Sequence, residues 1–342
     1  MQSPPLPQQT SRNPLVLISP FFLWGTAMVA MKGVLPHTSP FFLAGTRMVP
    51  AGLAVLVVAW WLGRSQKITW QGWLWIGLFA LVDGTLFQGF LAAGLERTGA
   101  GLGSVMIDSQ PLAVAIMARL LFHEFVGVLG WIGLLWGILG ISLLGLPDEW
   151  ILALLHGDTQ WLIQGNPLDV LLQGGEWLML LAAMSMATGT ILISYVSRHA
   201  DPVVATGWHM LLGGLPLYAL SGLWETQQWQ QLGLFDWAAI GYSTFMGSAL
   251  AYGVFFFLAA QGNLTSLSAL TFLTPVFALL FGSLLLDESL TSLQWVGVSF
   301  TLVSIYLINQ RAALTQKFRR WVLNYEGLSS SAKDTSIESE SP

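Results

Sequence analysis

Ten stretches of about twenty or more mostly apolar residues fill this chain of 342, and that spacing leaves few architectures open. A bilayer core about 30 Å thick takes about twenty helical residues to cross. The stretches read as 14–35, 39–63, 71–95, 99–122 and 126–146, then 175–197, 202–224, 236–260, 264–286 and 290–309. Inside hydrocarbon every backbone N–H and C=O must be paired within its own segment, so each stretch is expected to be a helix. The alternating pattern of a membrane-spanning strand is absent. Only 9% of the residues are charged, against roughly 25% in a soluble domain, which excludes a water-soluble globule. The expected fold class is an all-α integral membrane protein.

What the chain lacks narrows its chemistry. There is no cysteine, which removes disulfides, Cys-ligated metals and thiol nucleophiles together. Metal-binding His-x-x-x-His or Glu-x-x-His clusters and Gly-rich phosphate loops are missing, so no metal, no cofactor and no direct use of ATP are expected. No basic patch with interleaved aromatics points to nucleic acid. An intramembrane enzyme could use Asp83 and Asp108 as a catalytic pair, but neither sits in a Gly-x-Gly-Asp setting. Of the 17 tryptophans, Trp61, Trp70, Trp73, Trp224 and Trp237 lie near span ends, as an interfacial aromatic belt requires.

Lysine and arginine set the orientation. With the N-terminus in the cytosol, ten basic residues lie on that side: Arg12, Arg64, Lys67, Arg119, Arg198, Arg311, Lys317, Arg319, Arg320 and Lys333. Lys32 and Arg97 lie outside, and Arg47 falls within the membrane. Both termini are therefore expected in the cytosol. Residues 1–13 are polar, rich in Pro and Gln, and lack the basic start and cleavage site of a signal peptide, so the first span is expected to be an uncleaved anchor.

The second five spans repeat the first five. Pro111, Glu124, Trp131 and Gly133 recur 164 positions later as Pro275, Glu288, Trp295 and Gly297. Near the second span the displacement is 162, where Pro40, Gly45 and Met48 meet Pro202, Gly207 and Met210. Five spans per half is an odd number, so the second copy must sit upside down. Inverted repeats of this kind are characteristic of secondary transporters. The organisation is then a tail (1–13), a first repeat (14–146), an outer connector (147–174), a second repeat (175–309) and a basic, then Ser- and acid-rich, tail (310–342). The connector carries Trp150, Ile151, Leu154, Leu155 and Trp161 in runs too short to span, and is expected to lie on the bilayer surface. The basic stretch Arg311–Trp321 is expected on anionic headgroups, and the last residues to be disordered.

On these residues the chain resembles the drug/metabolite transporter superfamily, specifically permeases with two EamA-type repeats. The resemblance covers about residues 14–309. It rests on Arg47 in FFLAGTRM and on a proline followed by an acid at the helix end, in SQPLAVAIMARLLFHE and LTPVFALLFGSLLLDE. The resemblance implies ten helices, a central cavity among the first, third, fourth, sixth, eighth and ninth of them, and alternating access. One departure stands out: His209 occupies the place in the second repeat that Arg47 holds in the first.

Ionisable side chains at bilayer depth are rare and usually functional. The candidates are Arg47, Asp83, Asp108 and His209. Arg47 and Asp108 are the ninth and tenth residues of spans that both start outside, so they lie at similar depth and could pair. Asp83 or Asp108 would carry a proton or meet a cationic substrate group; the other reading makes Arg47–Asp108 a structural ion pair. His209 could titrate near neutral pH or simply pack by a hydrogen bond. Pro111 and Pro275 each remove an internal hydrogen bond and are expected as helix-break hinges, with Ser109, Gln110 and Thr274 beside them. Glu124 and Glu288 would cap the helices that follow. Gln88 and Tyr252 are repeat equivalents, and with Trp24, Thr26, Thr188 and Thr190 they could touch substrate or be core.

The expectation is a secondary transporter, in the direction of export, for a small organic metabolite, with proton coupling open. One fixed cavity cation favours amino acids, nucleosides and small aromatic metabolites over polyanions. The contrasting reading is a lipid-handling or scaffolding membrane protein without solute flux. The cell membrane is the expected location, with an organelle envelope as the alternative, and no motif sets the oligomeric state.

Overall fold

A computed structural model describes residues 14–122, 128–145, 148–157, 174–260, 267, 270–271, 273–287, 290–304, 306–307 and 310. Both tails, Glu124, Glu288, Trp161 and most of the connector lie outside these. The elements are α1 (Pro14–Val34), α2 (Pro40–Trp61), α3 (Trp70–Arg97), α4 (Ala100–Ile107 and Gln110–Phe122) and α5 (Val128–Gly145). Then follow α6 (Glu176–Val196), α7 (Pro202–Trp224), α8 (Leu234–Ala259), α9 (Leu273–Leu286) and α10 (292–304). A short helix, Asp148–Leu155, opens the connector. Among the described residues there is no strand.

Seven of these helices are long and apolar enough to cross a membrane, and two apolar stretches, Val128–Gly140 and Leu273–Leu286, are shorter. Large apolar side chains such as Val57, Trp60, Leu121, Leu135 and Leu284 are exposed on the outside. A surface so continuously apolar suits lipid, not water. The interior is packed with Phe21, Leu43, Met48, Phe79, Phe255 and Phe256, all fully buried.

Helices α2 and α7 lie against each other along most of their length. Two glycines allow the contact: a Cβ on Gly52 would stand 2.7 Å from the Gly207 carbonyl oxygen. Small residues let membrane helices approach to backbone distance. The ends are tied as well. Glu225, just past α7, accepts hydrogen bonds from Phe41 N (2.8 Å), Phe42 N (3.0 Å) and Ser39 Oγ (2.7 Å), capping the start of α2. Asp201 caps its own helix, accepting from Val203 N at 2.9 Å, and faces Arg64 at the far end of α2 at 3.6 Å.

Three helices depart from simple regularity. Helix α3 passes through a π-helical segment at Ala80–Phe87 and α8 through another at Phe245–Leu250. Helix α4 breaks at Asp108 and Ser109, just ahead of the proline expected to break it. Pro111 is instead the second residue of the next helical piece, where a missing N–H has no partner to lose. Pro275 likewise falls in the first turn of α9.

Candidate functional site

A cavity of about 40 Å³ lies at the centre of the bundle, lined from α1, α2, α3, α4, α6, α8 and α9. Helix α1 turns Trp24, Met28 and Met31 into it; α2 contributes Arg47, α4 Ser104 and Asp108, α8 Tyr252 and α9 Thr274. At ~10–15 Å³ per water the space holds a few waters and no metabolite.

The break in α4 explains how a carboxylate reaches this cavity. Asp108 ends the first piece with φ −74° and ψ 6°, and Ser104 Oγ, one turn back, donates to its Oδ2 at 3.3 Å. Arg47 is almost wholly buried, and its partners are all neutral. Nε donates to Ser248 Oγ (3.2 Å), one terminal nitrogen to Gln88 Oε1 (2.7 Å) and the other to the Met31 sulfur. Gln88 then donates through Nε2 to the Tyr252 hydroxyl at 2.8 Å. The ion pair envisaged between Arg47 and Asp108 is thus not formed. Their side chains share one cavity, but Arg47 is turned along α3 and α8 while Asp108 turns back on its own helix.

Aromatic rings close one wall. Trp24 packs edge-on against Tyr252 (centroids 5.0 Å apart) and tilted against Phe255 (4.9 Å). The Trp24 indole N–H and the Thr274 hydroxyl are buried cavity groups with no hydrogen-bond partner among the described residues. Groups of that kind are uncommon and call for a ligand or water.

Asp83 and His209 stand apart from the cavity lining and form their own centre. His209 Nε2 lies 3.1 Å from Asp83 Oδ2, and both side chains are 0% exposed. The pairing joins α7 to the π-helical segment of α3. Phe79 stacks on the imidazole at 4.1 Å, Phe256 meets it edge-on at 5.6 Å, and Gly189 of α6 presses against the carboxylate. Sequence reasoning flagged both residues but missed that they are partners: α3 and α7 run the same way, and the two residues stand at different distances from their helix starts. Thr190 accepts a bond from Gln110 at 2.8 Å and Thr26 pairs with Tyr242 at 2.6 Å. Thr188 bonds back to Met184 O at 2.9 Å. Among the described residues no group of three or more His, Asp or Glu is placed to hold a metal.

Two further hollows lie between helices away from the central cavity. One, about 560 Å³, lies between α1, α8 and α9, with Asp236 and Tyr242 at its wall. The other, about 480 Å³, lies between α2 and α8 with Arg64 at its edge. Both walls are mostly apolar and suit acyl chains.

Comparison with known proteins places these features in a family context. Residues 13–146 and 173–310 each match the EamA-like transporter family. An uncharacterized transporter of Synechocystis sp. is 61% identical over 312 residues, covering 90% of this chain and 93% of the relative. A WAT1-related chloroplastic protein of Arabidopsis thaliana is 52% identical over 298 residues, covering 86% and 68%. A solved crystal structure at 16% identity superposes with a TM-score of 0.63 over 86% of this chain and 94% of its own, a likeness of fold.

Proposed function

Since the chain belongs to the EamA-like transporter family, we propose that it is a secondary transporter of a small organic zwitterion, moved by alternating access through the central cavity. The observation that carries this is the unpaired juxtaposition of Arg47 and Asp108 on one cavity. A ligand bearing both an anionic and a cationic group would complement the two at once. Trp24 and Tyr252 offer an aromatic wall to its apolar part, and the free indole N–H and Thr274 hydroxyl offer it hydrogen bonds. Gln88 holds Arg47 and Tyr252 in place. Amino acids fit this chemistry best, ahead of nucleosides and small aromatic metabolites. A polyanion would meet one cation and one carboxylate.

A cavity of a few waters must widen to admit any of these, which supports a cycle in which helices part on one side at a time. The α4 break next to Pro111 and the first turn of α9 at Pro275 are the hinges in this reading. Ten spans in two inverted repeats complete it. Support comes from the two family matches, one per half, and from Gln88 and Tyr252 meeting although 164 residues apart. The Lys and Arg bias supports both termini in the cytosol. The chloroplastic relative keeps an organelle envelope beside the cell membrane as a location.

The test is a thermal-shift panel on the detergent-purified protein, with amino acids, nucleosides and aromatic metabolites, followed by efflux of labelled L-phenylalanine from loaded vesicles. A ligand selective for the folded state raises the melting temperature in proportion to the logarithm of its concentration. Saturable stabilisation by amino acids, weakened at least about tenfold (about 1.4 kcal/mol) by Asp108→Asn, is expected. A flat panel, with stabilisation by phospholipid alone, would overturn the reading in favour of a lipid-handling protein.

A further inference from the structure

We propose that the Asp83–His209 pair is the proton-binding site of this transporter, set beside the substrate cavity and not in it. The inference rests on the transporter reading above and names its coupling ion and the residues that take it.

Three observations point the same way. First, the pair is wholly buried yet incompletely bonded: among the described residues, Asp83 Oδ1 and His209 Nδ1 have no partner. A purely structural polar pair in a protein interior is normally satisfied on all sides. Second, Gly189 lies so close to the carboxylate that no water intervenes there. Any change in the charge of the pair is therefore felt directly by α6. Third, His209 stands 162 residues after Arg47, the displacement that relates the second and seventh spans. At one of these matching places the chain keeps a guanidinium, which stays charged, and at the other an imidazole, whose two ring nitrogens can take up or release a proton.

The groups facing the pair are few. Among the described residues, α6 presents Gly189, α3 adds Phe79 over the imidazole, and α7 brings His209 itself. Helix α8 presents Phe256 and, behind it, the Tyr252 hydroxyl, which is held by Gln88. The proton step balances simply. In one state the pair holds a single proton, on His209 Nε2, which donates to the Asp83 carboxylate. In the other it holds two and is neutral overall. The added proton comes from the bulk on one face and leaves to the bulk on the other, and no bond besides N–H or O–H forms or breaks. A net negative charge in a dry interior is costly, so loss of the proton favours an arrangement in which α6 moves off and water enters. The signal reaches the cavity through the Phe256–Tyr252 ring contact at 5.7 Å, then Gln88, then Arg47.

Two measurements test this. In the full chain in lipid nanodiscs, replacing His37, His123, His156 and His199 with Gln leaves His209 as the sole imidazole, observable by 15N NMR. A two-state titration between about pH 5 and about pH 9 is expected, displaced by Asp83→Asn; one unchanging state overturns the proposal. In proteoliposomes, Asp83→Asn and His209→Gln should retain L-phenylalanine exchange without a gradient and lose its acceleration by a pH gradient. Acceleration that persists in both variants overturns the proposal. If the wild type fails to exchange L-phenylalanine, the substrate reading falls, and the His209 titration still decides the proton site. Should either variant fail to insert, the titration of the native pair needs neither.

Discussion

Arg47 and His209 hold matching places on α2 and α7, and the chain has built unlike centres around them. Arg47 reaches across to the π-helical segment of α8, to Ser248; His209 reaches the π-helical segment of α3, to Asp83. Asp83 and Gly247 are 164 apart, as are Gly84 and Ser248. The flanking helices follow suit: Ala27 of α1 lies against Gly247, while Gly189 of α6, 162 residues after Ala27, lies against Asp83. Where one half sets a methyl against a glycine, the other sets a glycine against a carboxylate. The space is conserved and the chemistry exchanged. Only the Arg47 centre faces the cavity.

The largest expected difference between the two centres is thermodynamic. His209→Met strands a buried carboxylate, and unfolding in mixed micelles should become easier by about 3 kcal/mol. Arg47→Met leaves Gln88 bonded to Tyr252 and Ser248 bonded to Ser243, so about 1 kcal/mol is expected there. Equal losses would break the contrast. Next, Gly189→Ala drives a methyl into Asp83 and should lower thermal stability by about 2 kcal/mol. Adding Asp83→Gly recreates the Ala27–Gly247 contact and should recover most of it; a simple sum of the two single effects would deny that the sites are equivalent. Tyr252→Phe removes the acceptor of Gln88, which serves the Arg47 centre directly, and about 1 kcal/mol should be lost. The smallest effect is at the periphery. Glu225→Gln weakens the borrowed cap of α2 and should cost about 0.5 kcal/mol, with L-phenylalanine flux unchanged.

Much of the cavity was legible before any coordinates. Counting residues from the span ends put Arg47 and Asp108 at one depth, and they do line one cavity with Trp24 and Tyr252. The same count could not show which way each side chain turns. Depth follows from 1.5 Å of rise per residue, whereas direction depends on how each helix is rotated about its axis. That is why the Arg47–Asp108 ion pair was a fair reading and the Asp83–His209 pair went unseen. The π-helical segments escaped for a related reason: an extra residue in a turn leaves the apolar count of a span unchanged. The break in α4 was foreseen at Pro111 and lies just before it, because a proline is tolerated in the first turn that follows a break.

By itself the sequence determined the class, because about twenty apolar residues without charge have one stable form in hydrocarbon. It also carried the repeated residues 162 to 164 positions apart, one family match in each half. Tertiary structure alone decided which polar groups meet: Arg47 with Gln88 and Ser248, Asp108 with Ser104, and His209 with Asp83. Hydrophobicity carries a helix into the membrane without regard to its facing. The rotation is then set by close packing at contacts such as Gly52 on Gly207 and Gly189 on Asp83, between residues far apart in the chain.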